Sequence, residues 1–378
     1  MAEQAQPALG ILVAGLSITE AGPFGIITSF CREVVQACQA KGKVAYIFTL
    51  DQIPSPGTTI AGWTYRGGQW ASTSFPLPVC VYNRIGSRGM EARETTRQKI
   101  EWLKQQGVIF FNEQFLDKWQ IHKRLKNTEI GICIPETDVF DSLTTLLAYL
   151  KKYPVVYLKP VHGSLGRRII RLSRSKGTYV CEHTSASGDV VRKKFNSSHA
   201  LYTWITKIKG KRKFVIQQGI PLIRHREAIV DFRALVQKNR YGSWSITSMV
   251  GRCGPANSIV SNIARGGRLI TLTESLAHAH KLPFNSEDLS ARIKQKALQI
   301  ARVFEQHVEG KYAELGIDLG LDTMGKIWLI EINSKPSKND TSVPYLQKGP
   351  RRSVTRLVNY SLYLGGYVFP RRKKRRQG

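Results

Sequence analysis

Residues 315–336 read LGIDLGLDTMGKIWLIEINSKP, two apolar runs on either side of a Thr-Met-Gly turn. The pattern predicts a β-hairpin, and a hairpin fixes where its few polar residues can point. The spacing puts Asp318 at the opening of the first strand and Glu331 and Asn333 at the close of the second. Residues i and i+2 of a strand share a face, so Glu331 and Asn333 point the same way and Asp318 can join them across the ladder. Trp328, Leu329, Ile330 and Ile332 predict a buried second strand. A carboxylate in such a run is costly unless it is paired or on a metal. Two carboxylates and an amide oxygen on one face form a hard, all-oxygen set suited to Mg²⁺ held together with nucleotide phosphates. The alternative is a solvated hairpin edge with its acids alternating outward.

Charge narrows the class of partner. The 378 residues carry 57 Lys+Arg against 27 Asp+Glu, a net +30. Such an excess points to polyanions: nucleotides, nucleic acid, anionic polymers or an acidic surface. The charge peaks at Lys209–Lys213 (KGKRK) and Arg371–Arg376 (RRKKRR). The second run reads as a solvated, disordered end in preference to a nucleic-acid site. RNA-module signatures and paired Cys/His zinc spacings are absent from the sequence. The 42% hydrophobic content is that of a globular protein, and the length suits two or three subdomains. Six scattered cysteines without a C-x-x-C pair fit buried thiols in a reducing cytoplasm. The start, MAEQAQPALG, lacks the regions of a signal peptide. No apolar run approaches the ~20 residues that span a membrane. The expectation is a cytoplasmic protein.

Over the first ~110 residues strand and helix patterns alternate. Leu9–Ala14, Val44–Phe48, Pro78–Asn83 and Val108–Phe111 predict strands; Phe24–Ala40 and Glu91–Gln105 predict helices. Gly57–Gly68 reads as a hairpin or loop excursion. This is the pattern of a small α/β domain on a parallel sheet. After a short helix over Phe115–Lys126 the pattern changes. Val155–Lys159, Ile169–Ser173, Thr178–Glu182, Lys213–Gln217, Ile229–Gln237 and Ser243–Val250 predict strands, mostly hairpin-linked, with helices at His199–Ile208 and Glu287–His307. A mixed, mostly antiparallel α+β unit therefore follows, with no repeat at solenoid spacing.

Four further constellations bear on chemistry. Val155–Arg168, VVYLKPVHGSLGRR, runs from an apolar strand through Lys159 into a loop with Gly163, Ser164 and Gly166. Glycines let backbone approach phosphate oxygens, and loop N–H groups can line up on an anion. Lys159 adds a point charge that Arg167 or Arg168 could extend. No G-K-[ST] follows, so this is no Walker A loop, and an ordinary basic turn is the alternative. Lys118 follows Asp117 at the start of a helix, where a cation opposes the macrodipole; an anionic ligand or plain exposure would account for it. Lys123 is expected to face solvent. Phe214–Leu222, FVIQQGIPL, ends a strand in Gln217-Gln218-Gly219 and can either present free backbone groups to an adenine edge or simply turn. Asp231 and Arg233 (DFR), Arg252 and the run from Asn262 (NIARGG) form a basic and polar series. Two arginines near a reacting phosphate would stabilise developing charge, with Asp231 orienting Arg233. Strand-surface ion pairs are the alternative.

Taken in order, these motifs resemble the ATP-grasp superfamily, and the separation 331 − 318 = 13 between the two acids matches its metal hairpin. More closely, VYNRI, DKWQIHK, VYLKPVHGSLGR, QQGIPL, DFRALVQKN, SNIARGG and IEINSKPS resemble the endospore-coat-associated YheC/YheD family, from about Leu9 to Gly366. The resemblance implies α/β plus α+β architecture: an ATP-grasp fold behind an N-terminal pre-ATP-grasp α/β domain. The domains would be 1–112; then 113–368, with a lid at about 150–220 and a C-terminal metal-binding subdomain at about 221–368; then a basic disordered tail, 369–378. It implies that Lys118 and Lys159 bind ATP phosphates and that the loop Gly163–Arg167 closes over them. Gln217, Gln218 and Ile220 would hold the adenine edge, and Asp318, Glu331 and Asn333 would bind Mg²⁺. Arg233, Arg252, Asn262 and Lys335 would face the γ-phosphate and acyl substrate. The acid that often holds the ribose has no clear counterpart, since Arg224, His225 and Arg226 precede Glu227.

The activity so implied is a carboxylate–amine ligase working through an acyl phosphate, associated with the endospore coat. It needs no protein nucleophile, because positioning and charge stabilisation carry it. The charge suggests an acidic acceptor, a Glu/Asp-rich peptide or anionic polymer, with Arg84 and Arg88 in the acceptor site. The rival readings are a nucleotide-binding structural coat component with little turnover, and a polyanion binder that uses Lys209–Lys213 and the tail.

Overall fold

A computed structural model describes residues 6–20, 22–54, 57–163, 168–185, 190–255, 258–259, 261, 266–277, 285–338 and 350–369. Three sheets organise them. The first contains β1 (Leu9–Val13), β2 (Ala45–Thr49), β3 (Thr59–Arg66), β4 (Gln69–Pro76), β5 (Cys80–Asn83) and β6 (Ile109–Phe111), in the order β4-β3-β2-β1-β5-β6. β2, β1, β5 and β6 run parallel, as expected, and the excursion after Gly57 is an antiparallel hairpin, β3–β4, added at β2. Every residue of β1 and β2 is buried, as a parallel sheet covered on both faces requires.

Helix α1 (Thr28–Gln39) turns Phe30, Cys31, Val34, Val35 and Cys38 onto this sheet. The expected helix from Glu91 is split into α2 (Arg88–Glu91) and α3 (Glu94–Gln105). All six cysteines are buried and unpaired with one another.

The next segment opens with α4 (Lys118–Leu125) and builds a second sheet. It holds β7 (Thr137–Phe140), β8 (Val155–Pro160), β9 (Ile170–Ser175), β10 (Thr178–Thr184), β11 (Val190–Phe195) and β12 (Phe214–Gln218), in the order β11-β10-β9-β8-β12-β7. All its pairings are antiparallel. Helices α5 (Leu143–Lys152) and α6 (Ser198–Lys209) close one face with Leu146, Leu150, Leu201 and Ile205. β7 and α5 had no counterpart among the expected elements.

The third sheet holds β13 (Arg224–His225), β14 (Ala228–Lys238), β15 (Trp244–Cys253), β16 (Arg268–Ile270), β17 (Glu314–Leu321) and β18 (Ile327–Asn333); its main path is β16-β15-β14-β17-β18. Helices α7 (Leu272–Leu276) and α8 (Ser286–His307) lie on one face. Leu289, Ile293, Ala297, Ile300 and Phe304 recur at helical spacing on α8 and meet Phe232, Ala234, Ile317 and Leu319. That alternation sends Asp231, Arg233 and Asp318 to the opposite face.

Two devices join the first and third sheets. The last helix, α9 (Arg352–Leu364), returns to the first core with Val354, Leu357 and Val358. Asn112, at φ 53°, donates its N–H to Lys311 O (2.7 Å) and accepts from Ala313 N–H (3.0 Å). Asn tolerates this left-handed conformation better than most residues. Next to it, buried Glu314 accepts from Tyr82 Oη, from Gln237 Nε2 (3.0 Å) and from Lys338 Nζ (2.6 Å).

Candidate active site

The site lies where α4 and the second sheet face the polar side of the third. Asp318 stands in the middle of β17, not at its opening, because the strand begins at Glu314. It is directly opposite Glu331, and Gly316 is opposite Asn333. The register slips next to Asp318: Leu319 pairs with Leu329, leaving Ile330 as an extra residue on β18, a bulge of the kind that re-aims side chains. Trp328, Leu329 and Ile332 are buried as expected, but Ile330 is half-buried and lines the cleft. A Cβ at Gly316 would lie 3.3 Å from Arg233 Nη1, so the glycine leaves that guanidinium its room.

Around Asp318 acids and arginines alternate. Arg233 donates to both its oxygens, through Nε to Oδ1 and through Nη2 to Oδ2 (3.0 Å). Arg252 Nη2 is 2.9 Å from Oδ2. Arg252 also donates to both oxygens of Asp231, at 2.6 Å each, and Ser261 Oγ donates to the same carboxylate. Asp231 therefore orients Arg252 and not Arg233, which Asp318 holds directly. Bidentate pairs of this sort are strong and directional. Burial alone would raise the Asp318 carboxyl, but the two guanidiniums hold it below its usual range. Burial alone would lower Arg252, but the two carboxylates hold it above.

Two lysines complete the cleft. Asp117 caps α4 by accepting from Gln120 N–H (2.9 Å), and Lys118, the first helical residue, donates to Glu331. That carboxylate relieves the clash with the helix dipole. Lys123 faces solvent as expected. Lys159 leaves β8 half-buried and donates to Gln217 Oε1 (2.5 Å). Burial pulls its ammonium down to about 8; Glu331 opposes the shift and Lys118 adds to it. Apolar walls come from Ile121, Ile134, Val215 and Leu329.

The hinge differs from expectation. Gln218 N–H donates to Glu136 O and Gly219 N–H to Val155 O, both at 2.8 Å, because β12 is an inner strand between β7 and β8. Those donors are already used. The Gln218 side chain accepts from Glu136 N–H (3.3 Å), and Ile220 O accepts from Leu222 N–H (2.9 Å). Lys335 also departs from its expected place towards a γ-phosphate. It turns to Glu91 of α2, lies 4.7 Å from the Phe115 ring centroid, and is held at about 8 by burial against that carboxylate's opposing pull. Arg84 donates to Pro336 O (3.2 Å) and Arg88 to Leu116 O (2.7 Å), which puts both on the wall between the first unit and the hairpin. Gly163 opens the loop expected to close over phosphates, and a Cβ there would meet Pro160 Cγ at 2.7 Å. Ser164, Gly166, Arg167 and Asn262 lie outside the described residues.

Sequence reading missed Glu91, which accepts from Asn83 Nδ2 (2.9 Å) and Phe115 N–H (2.7 Å) as well as from Lys335. It also missed Thr137, which accepts from Gln217 Nε2 (2.8 Å). Neither has a local signal, since their partners come from other elements.

The donors fit a small hard cation. Among the described residues no group of three or more His, Cys, Asp or Glu could hold a metal; the expected donors are two carboxylates, Asp318 and Glu331, which face each other across the ladder, with the Asn333 amide. Mg²⁺ takes one or two carboxylates and completes its shell with water and phosphate.

Comparison with known proteins gives a consistent picture. Residues 107–364 match the family described as YheC/D like ATP-grasp. The endospore coat-associated protein YheD of Bacillus subtilis (strain 168) is 29% identical over 363 residues, 95% of this chain and 79% of that protein. The endospore coat-associated protein YheC of the same organism is 24% identical over 280 residues, 71% of this chain and 73% of that protein. Among solved structures, D-alanyl-alanine synthetase A from Vibrio cholerae O1 has a TM-score of 0.53 at 11% identity, covering 95% of this chain and 99% of that one. The ATP-grasp ligase PsnB, complexed with a minimal precursor, has a TM-score of 0.52 at 11% identity, with the same coverage. At such identities the likeness is one of fold.

Proposed function

The chain belongs to the YheC/D-like ATP-grasp family, and from that premise we propose an ATP- and Mg²⁺-dependent ligase that joins a carboxylate to an amine through an acyl phosphate. The observation that carries the reading is the pairing of Asp318 with Glu331 across one ladder, with Asn333 on the same face and Lys118 at Glu331. Bound there, Mg²⁺-ATP would supply the phosphoryl group that activates the carboxylate.

The chain's own residues position and compensate charge. Asp318, Glu331 and Asn333 hold the metal side of the nucleotide. Lys118 and Lys159 take the phosphates, and each has a partner in this structure, Glu331 and Gln217, that it would share or release. Arg233 and Arg252 keep Asp318 ionised and meet the charge that grows on the transferring group. The adenine lies against the end of β12 and Ile220. Arg84 and Arg88, held in the wall between the first unit and the hairpin, border the acceptor, for which the chain's charge favours an acidic peptide or polymer, and Lys335 supports that wall through Glu91. No side chain is required as a nucleophile, because the incoming amine attacks the acyl phosphate and releases phosphate. Two relatives are named endospore coat-associated, which supports a role for this chemistry in the endospore coat.

A second reading has one observation in its favour. Both oxygens of Asp318 are engaged by guanidiniums, which suits a coat component that binds nucleotide and turns over little. ADP release from Mg²⁺-ATP, by wild type and Glu331→Ala, with pooled amino acids and acidic peptides added or withheld, separates the two. The ligase reading expects release that the pool stimulates and the variant loses. Full activity in Glu331→Ala would sink the metal assignment. Nucleotide binding without release in either protein would favour the structural component.

A further inference from the structure

A second hollow, about 820 Å³ and open to solvent, lies away from the nucleotide cleft between α8, the short turn Gly131–Cys133 and the β17–β18 turn. α8 presents Arg292, Gln295, Lys296, Gln299 and Arg302 to it. Those positions follow helical spacing and form a stripe separate from the apolar stripe that α8 buries. Lys326 closes the opposite side. Four cations thus line the hollow against one carboxylate, Glu129, among its described residues.

The rim is apolar at two points. Ile132 is 76% exposed and Met324 is 79% exposed. Single exposed apolar residues are ordinary. Here two large ones line the same basic hollow. The hollow and the nucleotide cleft share no lining residue, but one strand reaches both: Ile327 of β18 lines the hollow, while Leu329 and Glu331 line the cleft.

We propose that this hollow is a docking site for an acidic polypeptide segment that carries apolar side chains. The cations match its carboxylates, and Ile132 and Met324 seat its apolar residues. The hollow is open to solvent, which leaves room for a linear chain to pass through it, and the apolar rim favours a polypeptide over a nucleic acid, whose phosphates would use only the cations. The proposal stands apart from turnover, since none of these residues belongs to the site assigned to nucleotide.

The test measures binding of a fluorescein-labelled peptide of repeating Glu-Glu-Leu to the full chain by anisotropy, at physiological ionic strength. Arg302→Glu combined with Lys326→Glu reverses two exposed charges at the hollow. Lys193→Glu combined with Lys194→Glu makes the same charge change on exposed β11. The hollow pair should weaken binding by about tenfold or more and the β11 pair by no more than about twofold. Ile132→Ser with Met324→Ser should also weaken it, and a Glu-Glu-Ser peptide should bind less tightly than Glu-Glu-Leu. Equal losses from the two charge pairs would overturn the proposal, because the attraction would then belong to the whole field of the chain. Equal binding of the two peptides, or displacement by oligo-dT at matched charge, would overturn it as well. Circular dichroism of each variant confirms that the fold is intact.

Discussion

On the polar face of the third sheet, Asp231, Arg252 and Asp318 are 4%, 6% and 5% exposed, and each charge meets an opposite one. On β11, at the edge of the second sheet, Arg192, Lys193 and Lys194 stand in solvent. Both regions are rich in charge, yet the physics differs. A buried charge must be matched at its own atoms, because the low dielectric leaves no solvent to compensate for a missing partner. Solvated cations on a strand edge cost little and discourage edge pairing. The net +30 therefore describes the surface and the long-range field, whereas the nearly balanced cluster at Asp318 describes the chemistry.

The sharpest way to break this comparison is to remove one charge from each region. Asp231→Ala leaves Arg252 with half its partners and should cost about 3–5 kcal/mol in urea denaturation. Lys193→Ala and Lys194→Ala should each stay within about 0.5 kcal/mol. Similar losses in both regions would contradict the contrast.

Next in size is the pH dependence of nucleotide binding. Lys159 is held at about 8 by burial. It carries its charge below that pH and loses it as pH rises through it. Under the proposed function, affinity for Mg²⁺-ATP should be constant below about pH 7 and fall above pH 8, by up to about tenfold per unit. Lys159→Arg should flatten the profile. Lys335 titrates in the same range, so a profile unchanged in Lys159→Arg but flattened in Lys335→Arg would move the phosphate contact to Lys335.

A smaller effect tests whether burial, rather than region, sets the cost. Cys181 lies in the second sheet with the exposed lysines, yet burial pushes its thiol from 9.0 up to about 12. Its folded pKa is raised, so its contribution to stability is fully present below about pH 9 and is lost as pH rises towards 12. Between pH 9 and 11 the wild type should therefore lose urea stability faster than Cys181→Ala. Parallel slopes would show the thiol to be accessible.

Much of this architecture is legible from local periodicity. Alternating strands and helices predict the parallel first sheet, and apolar spacing predicts α1 and α8. The run around Glu331 predicts the hairpin, and the separation of Asp318 from Glu331 survives as direct opposition across the ladder. The sequence by itself thus determined the first sheet, α1, α8 and the faces of the β17–β18 hairpin on either side of its slip, because those depend on periods of two and 3.6 residues; β7 and α5 lay beyond that signal. Partner choice was decided by the tertiary structure. Asp231 takes Arg252 because β14 and β15 pair in that register. Lys335 takes Glu91 because the first unit abuts the end of the hairpin. The N–H of Gln218 is consumed because β7 adds outside β12. Ile330 turns to the cleft because the ladder slips at Asp318. Each of these contacts joins one element to another, and the local pattern of a single strand or helix carries no term for the neighbour that will arrive beside it or for the register it will take.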